Sequence, residues 1–209
     1  MDPSYVVIDE FYDRPDQVRS FALTQSFEIE GQFPGWRSSP YFPERSDETV
    51  RRILCSLLSL DRKKVEIVDV GESGSFQIST SREQTWIHAD PYAKWAGVCY
   101  LTPDPPVTSG TALYRHRSSK IRDCSSALKR FPNDQQFDVR TSKIDCLDAS
   151  QWELVDSIGN VFNRLVLYKA NLYHSAIEYF GHDLYDARLF QVFFFDLIKC
   201  NPRQPGECS

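Results

Sequence analysis

The chain of 209 residues has one methionine. It also has no run of about 18 apolar residues, so no membrane-spanning helix is expected. With little thioether to fill gaps, a core must come from rings and branched aliphatics, and those favour strands. Rings are plentiful, at 14 Phe, 10 Tyr and 4 Trp. The six cysteines, at positions 55, 99, 124, 146, 200 and 208, contain no Cys-x-x-Cys pair. A zinc knuckle or dithiol redox motif is therefore not indicated. The opening stretch, residues 1–10, has neither a basic segment nor a long apolar one. The expectation is a protein without a secretory signal, with reduced thiols, in the cytoplasm. An excess of positive charge is missing too: 24 Lys and Arg face 29 Asp and Glu, a net charge of −5. That balance argues against a general nucleic-acid or anionic-membrane binder. What remains, at 41% hydrophobic and 25% charged residues, is the composition of one globular domain.

The pattern along the chain predicts helices early and strands late. Asp13-Arg14-Pro15-Asp16 has the form of a helix start with a capping Asp, and Val18, Phe21 and Ala22 then share a face. A second helix is expected from Ser46, with Val50, Ile53, Leu54, Leu57 and Leu58 at helical spacing. Ser150-Gln151-Trp152-Glu153 reads as a capping box opening a third. Residues 31–37 form a Gly- and Pro-containing loop able to reach over a cavity, with Trp36 and Arg37 at its entrance. Strands are expected at 64–70, 75–80, 94–101, 164–168, 172–178 and 187–197. The set suggests a mostly β sandwich or jelly roll with helices on one outer face. The division is a single domain over 1–209, with a helical N-terminal elaboration over 1–62 and a core over 64–199. An insertion over about 115–149 interrupts that core. Its part from 115 to 143 holds eight Lys and Arg against three Asp. Lying near a cavity mouth, it would favour an anionic substrate.

Chemistry concentrates in few residues. His88-Ala89-Asp90 places an imidazole and a carboxylate two positions apart, on the same side of an extended chain. His174 ends a strand-like run. Two imidazoles and one carboxylate form a facial triad that leaves three positions open on an octahedral ion, the arrangement of non-haem Fe(II) chemistry. Structural zinc would normally close with four protein ligands. By alternation, Arg188 shares a face with Phe190, Val192 and Phe194. An Arg on such a face calls for an anion, and its planar fork suits a carboxylate.

His88-x-Asp90, then His174, then Arg188 on a following strand resembles the His-x-Asp…His…Arg/Lys pattern of the Fe(II)/2-oxoglutarate-dependent oxygenases. The turn Ser109-Gly110-Thr111 after Tyr100-Leu101 is similar to that family's Gly-containing turn. The entry Val6-Val7-Ile8-Asp9 to Val18-Arg19 resembles that of small prolyl-hydroxylase-like members. Two positions depart from the pattern: Phe190 stands where a hydroxyl residue is common, and Ser109-Gly110 stands for paired glycines. The resemblance implies a double-stranded β-helix, a distorted jelly roll. It implies Fe(II) on His88, Asp90 and His174, with 2-oxoglutarate and O₂ as cosubstrates. Arg188, with help from the Tyr100 hydroxyl, would meet the distal carboxylate of 2-oxoglutarate. The activity implied is hydroxylation of a small-molecule or peptide substrate.

Plainer readings stand beside these. His88 and Asp90 also fit a surface ion pair, His174 a core histidine, Arg188 a partner of a buried acid, and Tyr100 simple core packing. Gln77 is a further residue for the same pocket. His116 and His182, in polar contexts, are expected at the surface. A cupin-like metal module without redox activity and an interaction protein with a basic docking loop are the alternative functions.

Overall fold

The computed structural model describes residues 3–43, 46–61, 65–132 and 140–199. Its main sheet runs β1 (Tyr5–Ile8), β8 (Leu165–Lys169), β5 (Trp95–Tyr100), β10 (Arg188–Lys199), β4 (Ser75–Ser79) and β2 (Trp36–Pro40), with β3 (Val65–Asp69) also paired to β10. All these pairs are antiparallel. A second sheet runs β7 (Trp152–Ile158), β6 (Thr111–His116) and β9 (His174–Ala176).

Strict alternation along the central strands explains the layering. On β10, Leu189, Phe193 and Phe195 join Trp95, Cys99, Leu165 and Leu167 in one core, which Val18 and Ala22 of α1 (Pro15–Ala22) and Val50 and Leu54 of α2 (Ser46–Leu57) cover. Phe190, Val192 and Phe194 point the other way. They join Val98, Tyr100, Val166 and Tyr168, and meet Leu113 and Ile158 of the second sheet. Each fully buried Leu or Phe here contributes about 1.5–3 kcal/mol. The helices thus close one face of the main sheet, and the second sheet stands across the other.

Three local expectations change. Residues 1–62 supply β1 and β2 as well as two helices, so the N-terminal stretch is part of the sheet. Arg14, not Asp13, occupies the cap position of α1, and no side chain caps it; Pro15 and Asp16 open the helix. The Ser150-x-x-Glu153 box opens no helix. Asp148 caps a three-residue 3₁₀ turn through Ser150 N, and Trp152 begins β7. The same short side chain that caps a helix also closes a turn, and the cross-strand partners on β6 decide between them. The segment between β6 and β7 is likewise more structured than its weak periodicity suggests. It holds α3 (Cys124–Arg130), capped by Asp123, and short helical turns from Arg140 to Gln151. Among the described residues no helix is long and apolar enough to cross a membrane.

Candidate metal centre

The segment around His88 is extended and zipped to the start of β9. His88 N donates to His174 O at 2.9 Å, and His174 N donates back to His88 O at 2.8 Å. Asp90 N donates to Ala170 O at 2.8 Å. These main-chain bonds set residues 88 and 90 on the same side, facing His174. His174 Nε2 lies 3.3 Å from Asp90 Oδ2, and His88 Nε2 lies 3.9 Å from Asp90 Oδ1. One ligand atom from each of the three lies within 4.8 Å of the others, and among the described residues no other such group of three is found.

Both imidazoles are oriented from behind. His88 Nδ1 lies 3.1 Å from Trp86 O and His174 Nδ1 lies 2.8 Å from Leu172 O. A carbonyl only accepts, so each Nδ1 carries a proton and Nε2 is the ring nitrogen turned toward Asp90. Burial, and then repulsion from His174, hold His88 down to about 4, against the pull of Asp90 and the Trp86 carbonyl. Cavity water reaches 38% of the His88 side chain and moderates this, but the direction is set. For Asp90, burial pushes upward, yet the hydrogen bond and charge of His174, with His88 and Arg37, leave it below the usual carboxylate range. The Tyr92 hydroxyl also faces Asp90, and burial raises its pKa. A carboxylate and two imidazole Nε2 atoms converging on one point suit a divalent transition metal.

The group lines a cavity of about 1130 Å³ between the two sheets. That is ample for a small dicarboxylate and an organic substrate together. Arg188, first residue of β10, is 2% exposed and lines the same cavity. Its Nε donates to Ser109 O at 3.0 Å, so the Ser109-Gly110 turn holds it in place. A Cβ on Gly110 would meet Ile158 O at 1.8 Å, which makes glycine necessary at that close approach. The Arg188 guanidinium carbon lies 4.3 Å from the Phe190 ring centre, 5.3 Å from Tyr100 and 5.7 Å from Tyr179. Burial pushes the Tyr179 hydroxyl up to about 12, with Arg188 opposing. Among the described residues no carboxylate pairs with Arg188. Tyr100 is fully buried behind the cavity wall and shares a 2.7 Å hydrogen bond with Thr111 Oγ1, which does line the cavity.

Other expectations divide. Arg37 and Gln77 face the cavity, whereas Trp36 is turned outward, 40% exposed, against Glu30. Tyr92, Tyr168 and Tyr179 also line the cavity and were not read from the sequence. The Tyr168 position follows from its alternation with Val166, but neither Tyr92 nor Tyr179 carries a local signal. His182 is exposed beside Ser81, as expected. His116 corrects its surface reading. It is 2% exposed, with Nε2 at 2.9 Å from Asp145 Oδ2 and Nδ1 at 3.0 Å from Ser119 Oγ. The turn carrying Asp145 folds back over it, so the polar neighbours seen in sequence are its buried partners. Part of the basic stretch is engaged locally: Arg115, Arg117 and Lys120 gather on Glu153, and Arg130 bonds Ser119 O. Cys55, Cys99, Cys124 and Cys146 are free thiols.

The fold is shared with solved structures. HygX from Streptomyces hygroscopicus, with nickel and 2-oxoglutarate bound, superposes with a TM-score of 0.52 at 12% identity, covering 92% of this chain and 82% of that one. The non-heme alpha-ketoglutarate-dependent carbocyclase SnoK from nogalamycin biosynthesis gives 0.51 at 14%, covering 98% and 85%. EvdO2 from Micromonospora carbonacea var. aurantiaca, complexed with 2-oxoglutarate, gives 0.50 at 12%, covering 97% and 90%. At these identities the likeness is one of fold, the double-stranded β-helix. No curated protein matches the sequence. A family model matches residues 2–186, and the chain belongs to that family, a family of unknown function designated DUF6445.

Proposed function

We propose that the protein is an Fe(II)- and 2-oxoglutarate-dependent oxygenase, with His88, Asp90 and His174 as its metal ligands and Arg188 as the anchor for the distal carboxylate of 2-oxoglutarate. The observation that carries this reading is one cavity holding both halves of the site. Three converging, metal-ready ligand atoms stand on one wall, and a buried guanidinium without a carboxylate partner among the described residues stands on another. HygX binds nickel and 2-oxoglutarate, and EvdO2 binds 2-oxoglutarate, on the same fold. Iron bound here would supply O₂ activation coupled to conversion of 2-oxoglutarate into succinate and CO₂, with oxidation of a substrate C–H bond.

The chain's own residues do the rest. Trp86 O and Leu172 O hold both Nδ1 atoms, so each ring is fixed with its Nε2 turned to the metal position. Ser109 O fixes the guanidinium, and Tyr100 acts behind it through Thr111. The rings of Phe190, Val192's neighbour Phe194 and Tyr168 keep the wall dry, which strengthens every charge interaction inside. The reaction proposed is hydroxylation of a small-molecule or peptide substrate.

The test is anaerobic addition of Fe(II) and 2-oxoglutarate, watching for the visible metal-to-ligand charge-transfer band, then a substrate screen read by succinate release. A band that needs both components supports the reading. Metal binding with no effect of 2-oxoglutarate would make the protein a non-redox metal module instead.

A further inference from the structure

We propose that Arg37 is the substrate-anchoring residue of this cavity, and that the substrate is a small organic acid whose carboxylate it binds. The proposal deepens the oxygenase reading and rests on it for the identity of the site.

Arg37 lies on β2, in register with Gln77 of β4, two strands from Arg188. It is 8% exposed and lines the cavity. Its Nε donates to Gln77 Oε1 at 2.7 Å and its Nη1 to Glu72 Oε2 at 2.9 Å. Gln77 is itself held, its Nε2 donating to Pro34 O at 2.7 Å. A guanidinium has five N–H groups. Two of these are engaged here, and the others, including both on Nη2, have no acceptor among the described residues. A cation this enclosed, pre-oriented and only partly bonded is a site waiting for an acceptor.

Shape and charge indicate which acceptor. The Phe33 ring lies 3.8 Å from the guanidinium carbon and the Phe194 ring 5.5 Å from it. Rings against the guanidinium leave its donors pointing in its own plane, where a planar carboxylate meets them edge on. The same rings and Tyr92 offer an apolar berth to the rest of the molecule. In the loaded site the metal, Asp90, a dicarboxylate and Arg188 balance one another. That leaves Arg37 and Lys143 against Glu72 among the charged lining residues, and Glu72 is over a third exposed and screened by water. The remaining field therefore attracts an anion, and Arg37 is the one enclosed cation left to receive it.

Gly35 explains how the loop delivers this residue. Its φ is +79°, and a Cβ there would meet Ile78 O at 1.9 Å, so the chain passes hard against β4 just before Arg37.

The test uses matched probes: hydrocinnamate, hexanoate and indoleacetate, each beside its primary amide, titrated by calorimetry into protein loaded with Zn(II) and 2-oxoglutarate. At least one acid should bind about tenfold tighter than its amide. Arg37→Gln should bring that ratio to about one while leaving Zn(II) affinity unchanged. Glu72→Gln, which removes the competing carboxylate, should enlarge it, and this variant keeps the test decisive if Arg37→Gln does not fold. The panel is repeated on unloaded Arg188→Ala protein, where Arg37 alone should preserve the preference. If Zn(II) and 2-oxoglutarate fail to bind, the oxygenase reading fails while the unloaded panel still reports on Arg37. A preference that persists in Arg37→Gln, that is unaffected by Glu72→Gln, or that is absent from every pair would overturn the proposal.

Discussion

Nε2 of His174 lies 3.3 Å from Oδ2 of Asp90 while Nδ1 of the same ring is 2.8 Å from the carbonyl oxygen of Leu172. The carbonyl holds the proton on Nδ1, so Nε2 is the nitrogen that faces the carboxylate. A ring nitrogen and a carboxylate oxygen held this close favour a cation between them. The main-chain carbonyls of Leu172, Trp86 and Ala170 hold the arrangement, accepting from His174 Nδ1, His88 Nδ1 and Asp90 N.

Removing a ligand should therefore abolish metal retention without unfolding the protein. His88→Ala, Asp90→Ala and His174→Ala are each expected to lower Co(II) or Fe(II) affinity by more than about 100-fold, since three ligands are the whole protein contribution. Cobalt absorption on titration reads this directly. A variant retaining wild-type affinity would remove that residue from the centre.

Arg188→Ala should separate the cosubstrate from the metal. Loss of a charge-assisted, buried donor pair is expected to weaken 2-oxoglutarate by roughly 10- to 100-fold. Metal affinity should stay within a factor of about two. Calorimetric titration of the two components checks both numbers, and unchanged 2-oxoglutarate affinity would take Arg188 out of the site.

Acid should destabilise the metal-free protein through His88. Burial, then His174, hold its folded pKa at about 4; the unfolded chain restores about 6.5. Between those values the unfolded state binds a proton that the folded state refuses. Stability present above about pH 6.5 is thus lost as pH falls toward 4. Asp90, also below its ordinary range, adds a loss in the same direction at lower pH. Scanning calorimetry from about pH 7 to about pH 5 should show a falling Tm that flattens in His88→Gln. Parallel pH curves for the two proteins would show that His88 titrates as in an unfolded chain.

The His116–Asp145 contact should be a stability element. Both side chains are buried, and Asp145 O also accepts from Trp152 Nε1 at 2.8 Å. His116→Ala is expected to cost about 1.5–3 kcal/mol, the range for a hydrogen bond to a charged group. It should also loosen the turn that brings Cys146 and Leu147 to the cavity. Urea unfolding measures the first effect, and a change below about 0.5 kcal/mol would show the contact to be idle.

Local pattern carried the strands of the core, since alternation along residues 187–197 already separates Phe190, Val192 and Phe194 from Leu189, Phe193 and Phe195. It also put Arg188 on the inner face and His88 and Asp90 on one side of the chain, because a period of two needs no knowledge of the partner strand. Patterns that depend on the partner failed: Trp152–Ile158 is a strand because β6 pairs with it, although its opening residues read as a helix cap.

By itself the sequence determined the two inward-facing pairs of chemistry, His88 with Asp90 and Arg188 with its ring neighbours, as consequences of backbone geometry a few residues long. Only the tertiary structure decided that His174 closes on the first pair, that Arg37 enters the same cavity from β2, and that His116 is enclosed. Each of those facts joins segments far apart in the chain. The free energy that selects them comes from burial and cross-strand pairing, which no short window of residues contains.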